Sequence, residues 1–246
     1  HLETARSWMN LANVATARKD LMTAEQCYEQ ARTILGRQPM PPLRAEATVQ
    51  FQLATLKRAK GEAAEAEALF REALASYRAL LGPDHPSVAV ASLSLAGLIQ
   101  ARGDPAGAEP LFRDAVAIRR KGSDQGILAD AVHGLARCLE DQQKVDEALP
   151  LLREAIALYR EVFGDSHVFT GRAIGNLARF LAARGEYEEA ERLLHECLEI
   201  LRGALGDGHP DIGTTRERLA RLYEAWGKPD QAARWRAETP TSQAAE

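Results

Sequence analysis

Residues 177–197 read LARFLAARGEYEEAERLLHEC, and this stretch decides the fold. Two segments with apolar or small residues at helical spacing are separated by one glycine, Gly185, so the stretch predicts helix, turn, helix. The leucine-alanine pair that opens it recurs at residues 11, 53, 95, 135, 177 and 219. The spacings are 42, 42, 40, 42 and 42 residues, which indicates a structural repeat.

Other positions follow the same period. An alanine stands thirteen residues after each leucine. In five of the six repeats, a tyrosine, phenylalanine or leucine follows that alanine by four residues, and a second small residue comes three residues after it. Small residues let two helix backbones approach closely, and the larger ones fill the space between successive pairs. A single pair cannot bury its apolar face, whereas stacked pairs can. The sequence therefore predicts an all-α fold of about six stacked antiparallel helix pairs.

The turns carry signals of their own. Eight residues after the leucine stands a glycine in four repeats, with Lys19 and Gln143 as the exceptions. Asp104 and Pro105 predict the cap and the first turn of a second helix, and Pro229 predicts another helix start. Pro39, Pro41 and Pro42 predict a helix break before residue 43.

This pattern resembles the tetratricopeptide repeat, and Trp8 falls where that motif often has tryptophan. The 42-residue period and the connectors at 81–86, 163–168 and 205–210 (LGPDHP, FGDSHV and LGDGHP) resemble those of kinesin light chains and their bacterial relatives. The resemblance implies a right-handed α-solenoid, a single domain over residues 1–238. Its expected units are about 4–40, 41–84, 85–124, 125–166, 167–208 and 209–238, and a polar tail follows at 239–246. Arg236 at the aromatic position of the last repeat is typical of a polar closing end.

Composition excludes several classes of function. The 246 residues are 46% hydrophobic and 27% charged, with a net charge of −4, which is ordinary for a folded domain and gives no basic footprint for nucleic acid. No apolar run approaches the length of a membrane span, and no signal peptide is visible. We expect a cytoplasmic location. Because the first residue is His1, we expect a fragment of a longer chain.

We find no catalytic motif and expect no enzyme activity, cofactor or metal. His85, His167 and His209 lie in connectors of different repeats, so one ion could not reach all three, and we expect each imidazole to cap the helix that follows. Gly171 and Gly175 form a G-x-x-x-G that we interpret as helix packing. The three cysteines, Cys27, Cys138 and Cys197, fall at packing positions and are expected to be buried and inert.

The resemblance also implies a concave groove lined by the first helix of each pair. The residue before each leucine and the residue two after it would face this groove. The expected peptide-binding residues are Asn10, Asn13, Phe51, Gln52, Ser94, Arg137, Arg172, Asn176, Arg179, Arg218 and Arg221. Amides suit an extended backbone, because they both donate and accept hydrogen bonds. The alternative is that these are merely exposed helix positions.

Arg137, Arg179 and Arg221 share one repeat position in three successive pairs, and we call them the arginine ladder. Arginine suits carboxylates and phosphates, so the ladder predicts a ligand with an acidic stretch. The inner side of the N-terminal half instead shows Met9, Phe51 and Leu93, so hydrophobic anchors are expected there. The alternative is neutralisation within the same helices by nearby carboxylates, namely Asp130, Glu140, Glu217 and Glu224. Glu140 follows Arg137 by three residues and Glu224 follows Arg221 by three, so Arg179 is the least paired.

The leading hypothesis is a protein-interaction scaffold that binds an extended peptide or a partner protein. The alternatives are a self-associating module and an autoinhibitory or sensor arm of a larger protein, such as a bacterial kinase or a nucleotide-binding signalling protein. A fourth reading is nucleic-acid binding by the ladder, which the low net charge and the scarcity of groove aromatics oppose.

Overall fold

The computed structural model describes residues 2–37 and 43–237. Over these two ranges the backbone forms twelve α-helices and no β-strand, which confirms the all-α fold class and its helix-pair repeat. The chain divides into two compact units, His1–Ser123 and Asp124–Glu246. The proline-rich segment at 38–42 and the tail at 239–246 lie outside the described residues. That residues 1–238 form one domain stays a prediction.

The first unit contains three helix pairs. They are α1 (Leu2–Ala17) with α2 (Leu21–Gly36), α3 (Leu43–Ala59) with α4 (Ala63–Leu81), and α5 (Pro86–Ala101) with α6 (Pro105–Arg120). The helices of a pair pack along each other, and the second helix of a pair also packs against the first helix of the next. Short turns make the two helices of a pair antiparallel.

The second unit repeats this arrangement. Its pairs are α7 (Gln125–Asp141) with α8 (Val145–Phe163), α9 (Val168–Ala183) with α10 (Tyr187–Leu205), and α11 (Pro210–Ala225) with α12 (Pro229–Ala237). Both the start of the second helix at Pro105 in the first unit and the start of α12 at Pro229 are as predicted.

Each turn within a pair has one residue in the left-handed conformation. It is a glycine in four pairs, with φ between 75° and 86°, and Lys19 and Gln143 take the same conformation with φ of 61° and 62°. The amide of the next residue then donates to the carbonyl five residues back, at 2.8–3.2 Å in all six turns. This hydrogen bond satisfies a carbonyl at the end of the first helix, as in a Schellman motif. The two non-glycine residues therefore adopt the glycine geometry because the turn requires it.

The connector histidines cap helices, as predicted. The Nδ1 atoms of His85, His167 and His209 each accept a hydrogen bond from the backbone amide two residues on, at 3.1–3.2 Å. Asp104 caps α6 in the same sense, since its carboxylate accepts from the amide of Gly107 at 2.8 Å. These contacts account for the histidines without any metal.

The predicted alanines are buried in all six pairs, whereas the repeat leucine Leu11 of the first pair is 47% exposed. Gly171 and Gly175 are buried where α9 meets α10, and a Cβ atom on either would come within 3.0 Å of a side chain of α10. This confirms that their spacing serves helix packing. The three cysteines are buried, also as expected. At the C-terminal end, Arg236 is exposed and pairs with Glu224 at 2.5 Å, which fits a polar closing end.

Candidate functional site

In the second unit, one face of α9 brings several predicted site residues together. Arg172, Asn176 and Arg179 stand four and three residues apart, so they share that face. With Arg137 of α7 and Arg218 of α11 they line a cleft of about 370 Å³, which we call the arginine cleft. Five of the eleven residues predicted from the sequence are therefore neighbours in space.

The ion pairs of these arginines differ from those expected. Arg179 pairs with Glu140 of α7, so the prediction that Arg179 is the least paired arginine is wrong. Glu140 makes its ion pair with Arg179 across to α9, and the charge of Arg137 on its own helix attracts it more weakly. Arg221 pairs with Glu217 at 2.9 Å, which is one of the same-helix carboxylates expected to neutralise the ladder. Spacing within one helix could not predict the contact of Glu140 with Arg179.

Two arginines of the cleft have no carboxylate partner within the described part of the chain. Arg137 is exposed and makes no ion pair there, whereas Arg172 pairs with Asp211 at 2.7 Å. Arg218 is half-buried, and its guanidinium donates to a neutral acceptor, Oδ1 of Asn176, at 3.2 Å. Burial lowers the pKa of Arg218, and the positive charge of Arg179 lowers it further, while the carboxylates of Glu140 and Asp211 offset part of this without forming an ion pair with it. A half-buried cation with a neutral partner can gain an anionic one at little further desolvation cost.

A chain of polar contacts holds Asn176 in place, and it contains residues that sequence reasoning missed. His133 Nε2 lies 2.9 Å from Nδ2 of Asn176, and His133 Nδ1 lies 3.4 Å from the hydroxyl of Tyr159. That hydroxyl donates to Asp130 at 2.8 Å. Since an amide nitrogen only donates, Nε2 of His133 accepts and its imidazole is neutral. Burial lowers the pKa of His133 to about 4, with a smaller contribution from Arg137.

A signal for His133 was present in the sequence. It stands two residues before the repeat leucine, the same position as Met9, Phe51 and Leu93, which were already assigned to the inner side. In the fourth repeat, the residue at this position is His133. Tyr159 lies on α8, the second helix of its pair, so a search confined to first helices could not reach it.

A second and larger space adjoins the arginine cleft. It has a volume of about 740 Å³ and lies between α9, α10 and α11. Small or apolar residues such as Ala182, Leu194 and Leu222 line it, together with three arginines and the carboxylate of Glu217. We call it the α9–α11 hollow. The three arginines are Arg179, Arg218 and Arg221, so the last ladder residue borders the hollow and not the cleft.

The remaining predicted residues lie in the first unit. Phe51 and Gln52 line a separate cavity of about 340 Å³ with Tyr77. The Phe51 ring packs edge-on against Phe70, with ring centres 5.5 Å apart. Thr48, Ser87 and Arg119 also line this cavity, and the hydrophobic anchors expected in the N-terminal half stay a prediction.

The other three predicted residues of the first unit differ from one another. Asn10 is exposed on α1, and Ser94 is half-buried on α5. The side-chain oxygen of Asn13 accepts a hydrogen bond from Tyr28 at 2.6 Å, so part of its hydrogen-bonding capacity is already used within the protein.

Comparison with known proteins places these helix pairs in a family. The tetratricopeptide repeat family model matches residues 3–79, 43–121, 128–179 and 172–236. The comparison with curated proteins gave no match. None of the helices within the described ranges has both the length and the apolar character to cross a membrane.

Several solved structures share the fold. One holds kinesin light chain TPR-like repeats of Podosopora anserina, with 26% identity over 82% of this chain and 97% of that one, and a TM-score of 0.69. A second is BtubC from P. vanneervenii, with 22% identity over 93% and 94% of the two chains and a TM-score of 0.70. The apo form of RapI has 13% identity over 96% of each chain and a TM-score of 0.73.

Because the family model covers most of the chain, and because the helix pairs, left-handed turns and buried alanines recur at its period, the protein belongs to the tetratricopeptide repeat family.

Proposed function

We propose that this protein is a non-catalytic scaffold that binds an extended, acidic segment of a partner protein at the arginine cleft of its second unit. Proteins of the tetratricopeptide repeat family bind protein or peptide partners and are typically non-catalytic. The family supports the general role, and the cleft supports the acidic ligand.

The observation that carries the proposal is the state of Arg218. Its guanidinium is half-buried beside a neutral amide, and it is repelled by Arg179. A carboxylate placed in the cleft would offset both effects. Arg137 lines the same cleft and, among the described residues, has no ion pair to break before it binds. A ligand carboxylate therefore meets two guanidinium groups, those of Arg137 and Arg218, that form no ion pair with a carboxylate among the described residues.

Asn176 gives the cleft a place for a peptide backbone. Its amide bridges His133 and Arg218, so the position of the amide is set by contacts on both sides. An extended segment has unpaired amide and carbonyl groups that side chains of this kind can satisfy. The combination of fixed amide and arginines favours a peptide over a free inorganic anion.

The test compares two substitutions that change the net charge of the protein by the same amount. Arg137→Glu changes the cleft, whereas Arg192→Glu changes an exposed residue of α10 that does not line it. Binding of a fluorescein-labelled glutamate-rich decapeptide is followed by anisotropy at low salt, with a lysine-rich decapeptide as the specificity control. We expect Arg137→Glu to weaken binding of the acidic peptide about tenfold and Arg192→Glu to leave it within about twofold.

Equal affinities of the two variants would contradict the proposal, and so would a wild-type protein that binds the lysine-rich peptide as well. Circular dichroism spectra establish that both variants are as helical as the wild type. Arg218→Gln, which keeps a donor for Asn176, is expected to weaken acidic peptide binding in the same way.

A further inference from the structure

One face of α1, in the first unit, departs from the pattern of burial that the other first helices share. Residues four before, at and three after the repeat leucine form one stripe along the first helix of a pair. In α3, α5, α9 and α11 the second helix of the preceding pair packs against that helix, and the three stripe residues are at most 5% exposed. The stripe is therefore the surface through which one pair joins the pair before it.

On α1 the same stripe consists of Ser7, Leu11 and Val14, and we call it the α1 stripe. Leu11 is 47% exposed and Val14 is 49% exposed, so nothing within residues 2–37 and 43–237 covers them. The hydroxyl of Ser7 donates to the backbone oxygen of Glu3 at 3.0 Å, so a partner that covers Ser7 leaves no donor unsatisfied. A surface that elsewhere packs against a helix is thus open on α1.

Opposite charges flank the α1 stripe. Glu3 stands eight residues before Leu11, and Arg18 stands seven residues after it. Glu3 pairs with Arg6 along its own helix at 3.0 Å, and since both side chains are well exposed this pair contributes little. Arg18 is exposed and forms no ion pair within the part of the chain that the structure describes. Both flanking charges are therefore available to a partner.

An antiparallel pairing of α1 with α1 of a second copy matches the stripe and its flanks together. With Leu11 of both copies beside the two-fold axis, Val14 of each copy lies opposite Ser7 of the other. Glu3 of each copy then lies opposite Arg18 of the other, so the charge complementarity occurs twice. The dipoles of the two helices are also antiparallel, which places the negative end of one beside the positive end of the other.

The last described helix offers no such match. Of the nine residues of α12 only Ala232 is buried, and Arg234 and Arg236 are exposed. Packing of α12 against the α1 stripe of another copy would set exposed cations beside Leu11 and Val14. Such a head-to-tail contact would also repeat from copy to copy, whereas a two-fold contact closes on itself.

We propose that the α1 stripe is a self-association surface, through which two copies of this chain form a closed two-fold dimer with their α1 helices antiparallel. One helix face is small beside the roughly 1,200–2,000 Å² that stable complexes bury, so the dimer is weak, with a dissociation constant in the micromolar range. The surface shares no residue with the arginine cleft, so this inference does not rest on the proposed function.

Sedimentation equilibrium of the whole chain, from about 1 μM to about 300 μM, tests the dimer. We expect the mean mass to rise with concentration from 26.9 kDa towards twice that value. Leu11→Glu places two carboxylates beside the two-fold axis and should weaken the dimer at least about tenfold. Leu80→Glu is the matched control, since Leu80 is a 38% exposed leucine of α4 outside the stripe, and it should change the dissociation constant less than about twofold.

A chain that stays monomeric over this range would overturn the proposal, and so would a dimer that Leu11→Glu weakens no more than Leu80→Glu does. Circular dichroism spectra establish that the variants are as helical as the wild type. Because both leucines are exposed, we expect both variants to fold.

An exchange of charges tests the antiparallel geometry separately. Glu3→Arg and Arg18→Glu each set like charges against each other across the dimer, and each should weaken it about threefold at low salt. The double variant restores opposite charges and should return to within about twofold of the wild type. In a parallel dimer each residue would face its own copy, and neither single change would add a repulsion. A double variant that is weaker than either single one would show that the helices are not antiparallel.

Discussion

His133 and its neighbours show how single residues shape the cleft. The neutral imidazole accepts from Asn176, and Asn176 accepts from Arg218, so the orientation of each group depends on the next. A protonated imidazole would present an N–H to the amide N–H₂ group, which only donates. Burial lowers the pKa of His133 to about 4, and the charge of Arg137 adds to this, so the imidazole stays neutral at pH 7.

The lowered pKa makes a prediction for stability against pH. The folded protein holds fewer protons on His133 than the unfolded chain does between pH 4 and pH 6.5. Stability from this group is therefore complete above pH 6.5 and is lost as the pH falls towards 4, by at most about 3 kcal/mol. Urea unfolding of the wild type and of His133→Gln, measured from pH 4.5 to 7.5, gives the difference that belongs to His133. A constant difference across that range would show that the imidazole does not titrate as described.

At the scale of the element, the turn within each pair follows one geometry whatever its sequence. Four turns have glycine at the left-handed residue, and the turns at Lys19 and Gln143 keep the same hydrogen bond without it. A side chain in that conformation costs about 1–2 kcal/mol, because its Cβ approaches the following carbonyl oxygen. In these two pairs the packing of the two helices, which is like that of the other pairs, compensates for this cost.

Gln143→Gly should therefore stabilise the protein by about 0.5–1 kcal/mol, less than the full relief because glycine also has more freedom when unfolded. Gly103→Ala is the matched control. Space is open around a Cβ atom at Gly103, so the expected loss of about 1 kcal/mol comes from the backbone alone. Both values are measured by urea unfolding at pH 7. Destabilisation by Gln143→Gly would show that the glutamine side chain makes contacts that outweigh the backbone strain.

At the scale of the whole molecule, the two units offer separate reporters of unfolding. Trp8 lies in the first unit, and Trp226 and Trp235 lie in the second. Neighbouring repeats couple through their shared interfaces, so we expect residues 1–238 to unfold as one domain. The fluorescence of the tryptophans can therefore measure whether the two units unfold together.

In a chain with Trp226→Phe and Trp235→Phe, fluorescence reports Trp8 alone. Adding Gln143→Gly to that chain stabilises the second unit, and one cooperative domain would shift the Trp8 transition to higher urea. Trp8→Phe with the same glycine substitution is the companion measurement on the second unit. A Trp8 transition that does not move, while the companion transition does, would show two independent domains.

The sequence alone determined the helix pairs, their turns, the histidine caps and the family, because these features depend on contacts within a few residues and on a period that six repeats express. Leu177, Gly185 and Ala190 predict their structure through spacing alone. The sequence also predicted that Arg137, Asn176 and Arg218 lie on one face, since equivalent repeat positions face the same way.

Only the tertiary structure decided which of these groups are available to a ligand. The pairing of Glu140 with Arg179 and the chain from Tyr159 through His133 and Asn176 to Arg218 join residues on different helices, 26 to 43 positions apart. No spacing rule within one helix reports such contacts. The α9–α11 hollow likewise is bounded by residues of three helices, so its size depends on how those helices pack. The packing of the helices determines the volumes of the cavities and the partners of the charged side chains, and both define the candidate site.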